Sequence, residues 1–212
     1  MIGHKTTAIL GVQVDSSQYL TPGYCKPQRF ASYSYQINEI LNCGAKSVLE
    51  IGPGNGVVTY LLRKAGIAVD TLDHDPALNP DIVASILELP LLAKSYDAIL
   101  CCQVLEHLPW DMFPIALSEI KRVVRKNIII SLPDSTPNYY LEICLPVLGT
   151  RRFAVNVPKK QPMESDEHYW EIGHNVDEKK LQLAFKQGGL QSDKSYRLRE
   201  FPYHHFYVLT VQ

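Results

Sequence analysis

The chain carries its most informative pattern in Val48-Leu49-Glu50-Ile51-Gly52-Pro53-Gly54-Asn55-Gly56. A short apolar run ends in three glycines at alternate positions, and residues compatible with a helix follow from Val57 to Lys64. This order predicts a buried strand, a tight turn with a bare backbone, and the start of a helix. Glycine suits such a turn because a side chain would hold a ligand away from the backbone N–H groups. The stretch therefore predicts a nucleotide-binding turn.

The spacing of the glycines distinguishes between classes of nucleotide. A dinucleotide site needs G-x-G-x-x-G, but Val57 stands where the last glycine would be. A phosphate-binding P-loop ends in Gly-Lys-Ser/Thr, and no Lys follows Gly56. Glu50 would repel a pyrophosphate, whereas it would attract an amine or a sulfonium. The turn is therefore expected to hold a ligand without phosphates.

Two more motifs follow along the chain. Asp73 ends the predicted second strand and lies about 20 residues after Gly52, the offset at which a carboxylate reaches ribose hydroxyls. Asp75 precedes Pro76 and is expected to cap the next helix. The third motif, residues 96–107 with the sequence YDAILCCQVLEH, predicts a fourth strand and a turn at the edge where ligands bind.

These three motifs in this order resemble those of the class I S-adenosylmethionine-dependent methyltransferases of the type 11/12 kind. The resemblance covers residues 30–132. It implies an α/β, Rossmann-like fold with a seven-stranded, mostly parallel sheet, an antiparallel final strand and helices on both faces. It also implies that S-adenosyl-L-methionine is the cofactor and that S-adenosyl-L-homocysteine is the product.

The resemblance assigns expected roles to residues that bind the cofactor. Glu50 is expected to hold the methionyl amine, and Asp73 the ribose, with Gln103 near the methyl group. Family members often carry Asp where this chain has Ser85, whose hydroxyl can still accept a hydrogen bond from the adenine amino group. The expected set is Glu50, Gly52, Pro53, Gly54, Gly56, Asp73, His74, Ser85, Ile86 and Gln103.

Candidate bases follow from the chemistry of methyl transfer. The sulfonium already activates the methyl group, so a base is needed only if the acceptor carries a proton to be removed. His107, with Glu106 beside it, and His168 are the expected catalytic residues, because an imidazole can accept a proton near neutral pH. Each histidine also has a structural interpretation, His107 as a brace for the next helix and His168 as part of a surface loop.

A metal-dependent alternative rests on a second resemblance. Gln103-x-x-Glu106-His107 is similar to the Glu-x-x-Glu-His of the RNA 3′-terminal 2′-O-methyltransferases and the ubiquinone-pathway O-methyltransferases. The stretch Glu167-His168-Tyr169-Trp170-Glu171 is similar to an Asp-His-x-Phe-Glu stretch of the RNA enzymes, and together these residues hold a divalent metal there. Because Gln103 replaces a carboxylate with a neutral amide, no metal is expected in this chain.

The composition limits the classes of partner. The 212 residues carry a net charge of −1 and a pI of about 6.6, which favours neither nucleic acid nor an anionic membrane. Five cysteines without a C-x-x-C pair suggest neither a disulfide framework nor a zinc ribbon. No signal peptide or membrane-spanning run is recognisable, so a cytoplasmic protein is expected. The basic residues Arg151, Arg152, Lys159 and Lys160 are interpreted as a solvated loop.

The predicted organisation is one domain over residues 1–212. Residues 1–28 form an amino-terminal arm, and the irregular residues 134–174 form an insertion that covers the substrate. The expected function is methyl transfer to an oxygen, or a nitrogen, of a small molecule by a monomer or homodimer. The alternatives are a metal-assisted RNA 2′-O-methyltransferase and a non-catalytic interaction protein with the same fold.

Overall fold

A computed structural model describes residues 16–145, 149–156, 162–163 and 165–212. The strands are β1 (Ser47–Ile51), β2 (Ala68–Asp73), β3 (Ile82–Val83), β4 (Tyr96–Cys102), β5 (Val124–Pro133), β6 (Asn138–Leu145), β7 (Gly149–Asn156), β8 (Leu190–Arg197) and β9 (His204–Val211). The helices are α1 (Pro27–Cys43), α2 (Val57–Lys64), α3 (Phe113–Val123) and α4 (Glu178–Gln187). Short 3-10 helices span Ser16–Leu20, Pro76–Leu78, Leu105–His107 and Trp110–Met112.

The main sheet has seven strands in the order β3-β2-β1-β4-β5-β9-β8. The first five strands of this order are parallel, and β9 is antiparallel to both of its neighbours. The predicted fold is confirmed, including the antiparallel final strand. The order changes direction between β1 and β4, and in open α/β sheets ligands bind outside the carboxyl ends of the strands at such a point.

Helices cover both faces of this sheet. On one face α1 and α2 bury apolar side chains that include Ile40 and Leu62, and on the other α3 and α4 bury Phe113 and Phe185. Gly44 ends α1 in the left-handed conformation, as its position in the sequence predicts. Across the described residues, no helix combines the length and the apolar character needed to cross a membrane.

The predicted insertion at residues 134–174 contains regular structure that the sequence analysis missed. Strands β6 and β7 pair with each other in a separate two-stranded antiparallel sheet. Apolar residues at alternate positions of β6, namely Tyr139, Leu141 and Ile143, are exposed. This alternation is a strand signal, so the expectation that residues 134–174 are irregular throughout is wrong at β6 and β7. Lys159 and Lys160, like residues 1–15 of the predicted arm, lie outside the described residues.

Candidate functional site

A cleft of about 420 Å³ opens at the carboxyl ends of β1 and β4. The ends of β2 and β4, helix α1, the segment at residues 165–168 and the turn before β9 all contribute to its lining. The sequence-predicted residues that line it are Glu50, Gly52, Asp73, His74, Ser85, Ile86, Gln103, His107 and His168. Pro53, Gly54, Gly56 and Glu106 do not line it.

The turn after β1 requires glycine at its first position. Gly52 has a φ of 74°, and its N–H donates to the Leu72 carbonyl at 2.9 Å. A Cβ added to Gly52 would overlap the Val104 side chain. Gly56 also has a positive φ and stands immediately before α2. The tight turn that the sequence predicts is therefore present, with Gly52 facing the cleft.

Glu50 is a buried carboxyl group in the cleft wall. Its Oε2 accepts a hydrogen bond from the Thr59 hydroxyl. Burial raises the pKa of Glu50 to about 7, although the hydrogen bond from Thr59 acts in the opposite direction. A cation placed beside Glu50 would favour its charged form, which suits the predicted role toward an amine.

The turn after β2 presents two carboxylates to the cleft. Asp73 Oδ1 accepts from the Asp75 N–H at 2.9 Å and lies 3.3 Å from His74 Nδ1. Asp75 Oδ1 accepts from the Ala77 N–H at 2.8 Å and caps the short helix that starts at Pro76, as predicted. Asp73 is therefore left to meet a ligand, while Asp75 holds the turn.

Ser85 and Gln103 line the cleft with their hydroxyl and amide groups partly engaged. Ser85 Oγ accepts from the Leu87 N–H at 3.2 Å, and a hydroxyl oxygen can accept a second hydrogen bond. Gln103 has a φ of 57°, which is uncommon for a residue other than glycine, and its Nε2 donates to Ser131 Oγ at 3.3 Å. These contacts orient both side chains at the cleft.

Glu106, His107 and His168 meet at one end of the cleft. His107 Nδ1 lies 3.2 Å from the Glu167 carbonyl oxygen, and His168 Nδ1 lies 2.8 Å from Glu171 Oε1. The two imidazole rings are edge to face, with centroids 4.9 Å apart. Each of the three residues offers one potential metal ligand, and these atoms all lie within 4.8 Å of one another. The structure thus brings together all three predicted catalytic residues.

Burial controls the charges of this group. It raises the pKa of Glu106 to about 7, partly offset by the nearby His168, and it lowers the pKa of His107 to about 4. Burial would lower the pKa of His168, but the hydrogen bond with Glu171 and the nearby carboxylates of Glu106, Glu171 and Glu167 together outweigh it, and the pKa is raised. His107 is therefore neutral at neutral pH, with Nδ1 as the donor to the Glu167 carbonyl.

Several lining residues were missed in the sequence. Tyr19, Tyr24 and Arg29 come from the predicted arm and the start of α1, and the Arg29 guanidinium lies 4.0 Å from the Tyr24 ring centroid. His204 begins β9, is fully buried, and pairs through Nδ1 with Ser32 Oγ at 2.8 Å. The aromatic and basic content of residues 19–29 was the available signal. His204 had no local signal, because it reaches the cleft only through strand pairing.

The charges that line the cleft are mainly negative. Among the described lining residues, the acidic side chains are Asp73, Asp75, Glu167 and the partly protonated Glu50, and Arg29 supplies the sole lysine or arginine charge. Such a lining favours a ligand with a positive centre and disfavours a polyphosphate backbone.

Residues 49–132 match the family model described as "Methyltransferase domain". This range begins within β1 and ends within β5, so it contains the glycine turn, Asp73, Glu106 and His107. No curated protein sequence matches the chain.

Solved structures share the fold over most of the chain. A 1,6-didemethyltoxoflavin-N1-methyltransferase from Burkholderia thailandensis, with 1,6-didemethyltoxoflavin and S-adenosylhomocysteine bound, is 15% identical, with 97% of this chain and 88% of that one covered and a TM-score of 0.63. A SAM-dependent methyltransferase from Aquifex aeolicus is 15% identical, with 94% and 100% covered and a TM-score of 0.63.

A third structure is the magnesium protoporphyrin IX methyltransferase from Synechocystis PCC 6803 with SAM bound. It is 13% identical, with 87% of this chain and 80% of that one covered and a TM-score of 0.59. At these identities the likeness shows the fold. It confirms the fold that the sequence predicts, and the match of residues 49–132 to the family model agrees with the methyltransferase resemblance.

Proposed function

We propose that this chain, a class I methyltransferase by family match and fold, transfers the methyl group of S-adenosyl-L-methionine to a small molecule. One observation carries the proposal: the glycine turn opens onto a cleft that Glu50 and Asp73 also line. An amine and a ribose are the ligand groups that these two carboxylates suit. S-adenosyl-L-homocysteine is the product.

The cofactor roles follow the positions of the side chains. Glu50 holds the methionyl amine, and Asp73, with His74 beside it, binds the ribose. Ser85 accepts from the adenine amino group, and Ile86, which is buried beside the cleft, packs on the adenine ring. Gln103 lies near the methyl group. Because the sulfonium is already reactive, the main task of these residues is to orient the cofactor toward the acceptor.

A small acceptor is supported by the cleft and by the structural neighbours. One neighbour is named as a methyltransferase of a toxoflavin precursor and another of magnesium protoporphyrin IX, both of which are small molecules. The acidic lining opposes the phosphates of RNA, although the grouping of Glu106, His107 and His168 is compatible with the metal-assisted alternative. We expect the acceptor atom to be an oxygen, with nitrogen as the second choice.

Calorimetry with S-adenosyl-L-homocysteine tests the cofactor. We expect the wild type to bind it and Asp73→Ala to bind it at least about tenfold more weakly, which is about 1.4 kcal/mol for a lost charged hydrogen bond. Asp111→Ala is the matched control, because Asp111 is exposed and does not line the cleft. If the folded wild-type protein does not bind S-adenosyl-L-homocysteine, the proposed methyltransferase activity is wrong. That result would favour a non-catalytic interaction protein.

A further inference from the structure

The imidazole of His204 has one ring nitrogen without a partner. His204 is 1% exposed and lines the cleft. Its Nδ1 lies 2.8 Å from Ser32 Oγ on α1, whereas Nε2 has no hydrogen-bond partner among the residues that the structure describes. Buried ring nitrogens are normally hydrogen-bonded, because a buried polar atom without a partner costs free energy. Nε2 is therefore the atom of His204 that is available to a ligand in the cleft.

The hydrogen bonds of Ser32 indicate which ring nitrogen of His204 carries the proton. Gln36 Nε2 donates to Ser32 Oγ at 3.4 Å, so the Ser32 hydroxyl receives one hydrogen bond and keeps its own hydrogen to donate. His204 Nδ1 is the acceptor that this hydroxyl meets in the described part of the chain. Burial and the charge of Arg29 lower the pKa of His204 to about 3, so the ring is neutral at neutral pH and only one nitrogen carries hydrogen. Nε2–H is therefore a donor.

His204 lies on the side of the cleft that the proposed cofactor leaves open. The strand order is β3-β2-β1-β4-β5-β9, and the residues expected to hold the cofactor lie at or just beyond the ends of the first four of these strands. His204 begins β9 opposite Pro133, the last residue of β5. Because neighbouring strands lie about 4.8 Å apart, His204 is displaced by about 10 Å from the end of β4, where Gln103 is expected near the methyl group. A ligand on Nε2 would therefore lie beyond the methyl group.

Aromatic side chains lie beside His204 on this side of the cleft. The Phe201 ring is stacked on the imidazole, with centroids 4.2 Å apart and 28° between the planes. The Tyr203 ring lies 6.1 Å from the imidazole, and its hydroxyl donates to Glu171 at 2.7 Å. Phe201 and Tyr203 are partly exposed and line the cleft, so they can shift as a ligand reaches Nε2. Such a wall favours a planar ligand, because stacked rings bury apolar area and add a favourable ring contact.

We propose that His204 donates a hydrogen bond from Nε2 to the methyl acceptor, and that this acceptor is a planar aromatic molecule with a carbonyl oxygen or a ring nitrogen at the point of contact. The hydrogen bond would hold the edge of the molecule, and Phe201 and Tyr203 would pack against it. His204 then determines specificity, because a molecule without an acceptor atom here leaves Nε2–H unpaired in a buried place. The identity of the ligand as the methyl acceptor rests on the proposed function, whereas the hydrogen-bond donor does not.

Nitrogen NMR of protein with isotopically labelled histidine tests the donor without a ligand. We expect the His204 ring to be protonated at Nε2 and unprotonated at Nδ1. In Ser32→Ala the hydroxyl that fixes this tautomer is lost, so both tautomers should be populated. A wild-type ring that is unprotonated at Nε2 would overturn the donor.

Two ring probes of the same size and shape test the pocket. Isoquinoline has a ring nitrogen that accepts a hydrogen bond, and naphthalene has none, so the ratio of their affinities reports on that bond. Both are titrated with saturating S-adenosyl-L-homocysteine, which fills the adenine position. The ratio in favour of isoquinoline should be at least about fivefold higher in the wild type than in His204→Asn, which keeps a polar group near the Nδ1 position and loses Nε2–H. His204→Gln keeps an N–H near the Nε2 position and should retain part of the preference.

His205→Asn is the matched control. His205 is the next residue, its ring nitrogens pair with Asp134 and Ser195, and it does not line the cleft, so this variant should keep the wild-type ratio. An unchanged ratio in His204→Asn, or an equal fall in His205→Asn, would overturn the role of His204. Absence of isoquinoline binding to the wild type would overturn the planar class of ligand. If S-adenosyl-L-homocysteine does not bind, the proposed function fails, whereas the NMR result decides the His204 donor by itself.

Discussion

Glu50 is a residue whose acid–base chemistry depends on its place in the fold. Its carboxyl group lies at the end of a central strand, buried among apolar neighbours, with Thr59 as a hydrogen-bond donor. The pKa of about 7 instead of 4.5 means that the free protein carries Glu50 partly protonated near neutral pH. A ligand amine at this position would favour the ionised form.

Affinity for S-adenosyl-L-homocysteine should therefore depend on pH through Glu50. If the ionised form binds the amine, affinity rises about tenfold between pH 6 and pH 8, because the ionised fraction rises about tenfold around a pKa of about 7. Calorimetry across this range measures the slope. Glu50→Gln should bind S-adenosyl-L-homocysteine weakly, with an affinity that depends little on pH. If the affinity of this variant changes with pH as it does in the wild type, a group other than Glu50 titrates.

The same group makes folding stability depend on pH. Between pH 4.5 and about 7 the folded protein holds a proton on Glu50 that the unfolded chain has released, so stability falls as pH rises through this window. In urea unfolding, the stability of Glu50→Gln relative to the wild type should rise by up to about 3 kcal/mol between pH 5 and pH 8. A constant difference between the two proteins would show that Glu50 does not titrate in this window.

Gly52 gives a prediction about backbone and space together. Ala at this position must adopt a positive φ and must also displace the Val104 side chain. Gly66 has a similar φ of 83° with open space around it, so Gly66→Ala should cost about 1–2 kcal/mol from the backbone alone. In urea unfolding, Gly52→Ala should have a lower free energy of unfolding than Gly66→Ala. Equal losses of stability in the two variants would show that the Val104 side chain moves aside at no cost.

At the scale of elements, the segment from residue 165 to 176 brings His168 to the cleft. Trp170 anchors it: the indole is buried, its Nε1 donates to the Leu108 carbonyl at 3.0 Å, and its ring is edge to face with Trp110 and Phe113. The position of His168 beside His107 thus depends on packing more than 60 residues away in sequence.

Removal of this anchor should destabilise the protein. We expect Trp170→Ala to lose about 3–5 kcal/mol in urea unfolding, because a large buried ring leaves a cavity. Trp170→Phe should lose less, since it keeps part of the ring packing and loses the hydrogen bond to Leu108. Tyr169→Ala serves as control, as its side chain is half exposed and should change stability by less than about 0.5 kcal/mol. If Tyr169→Ala and Trp170→Ala lose similar amounts of stability, Trp170 does not anchor the segment.

The elements also show how far the sequence predicts the structure. The apolar runs of β1, β4 and β5 and the glycine turn were recognisable locally, since buried parallel strands are continuously apolar. The strands β6 and β7 were missed because their apolar residues face solvent, not a core. His168 was expected at the site from the stretch Glu167–Glu171, whereas His204 reaches the cleft through strand pairing, for which a single sequence contains no signal.

At the scale of the whole molecule, the β6–β7 hairpin stands apart from the seven-stranded sheet. Its two strands pair with each other over their full length, from Asn138 opposite Asn156 to Leu145 opposite Gly149. Exposed apolar side chains in both strands, including Leu141 and Phe153, are not used to build either core cluster. The body of the molecule should therefore fold without the hairpin.

A deletion tests this independence. Asn138 and Asn156 are register partners, so their Cα atoms lie about 5 Å apart and a short Gly-Ser link can replace residues 139–155. We expect the free energy of unfolding of the shortened protein to lie within about 1 kcal/mol of the wild-type value. Its affinity for S-adenosyl-L-homocysteine should lie within about twofold of the wild-type affinity. A protein that no longer folds, or that loses this binding, would show that the hairpin supports the body.

The carboxylates around the cleft favour the substrate over the product. Methyl transfer converts a sulfonium cation into a neutral thioether, while Asp73, Asp75 and Glu167, together with the ionised fraction of Glu50, face only one arginine among the described lining residues. The attraction that helps to load the cofactor is thus weakened by the reaction itself, which eases release of the spent nucleoside. We expect S-adenosyl-L-homocysteine to inhibit weakly at low ionic strength. The ratio of the affinity for S-adenosyl-L-methionine to that for S-adenosyl-L-homocysteine should fall as added salt screens the charges of the cleft.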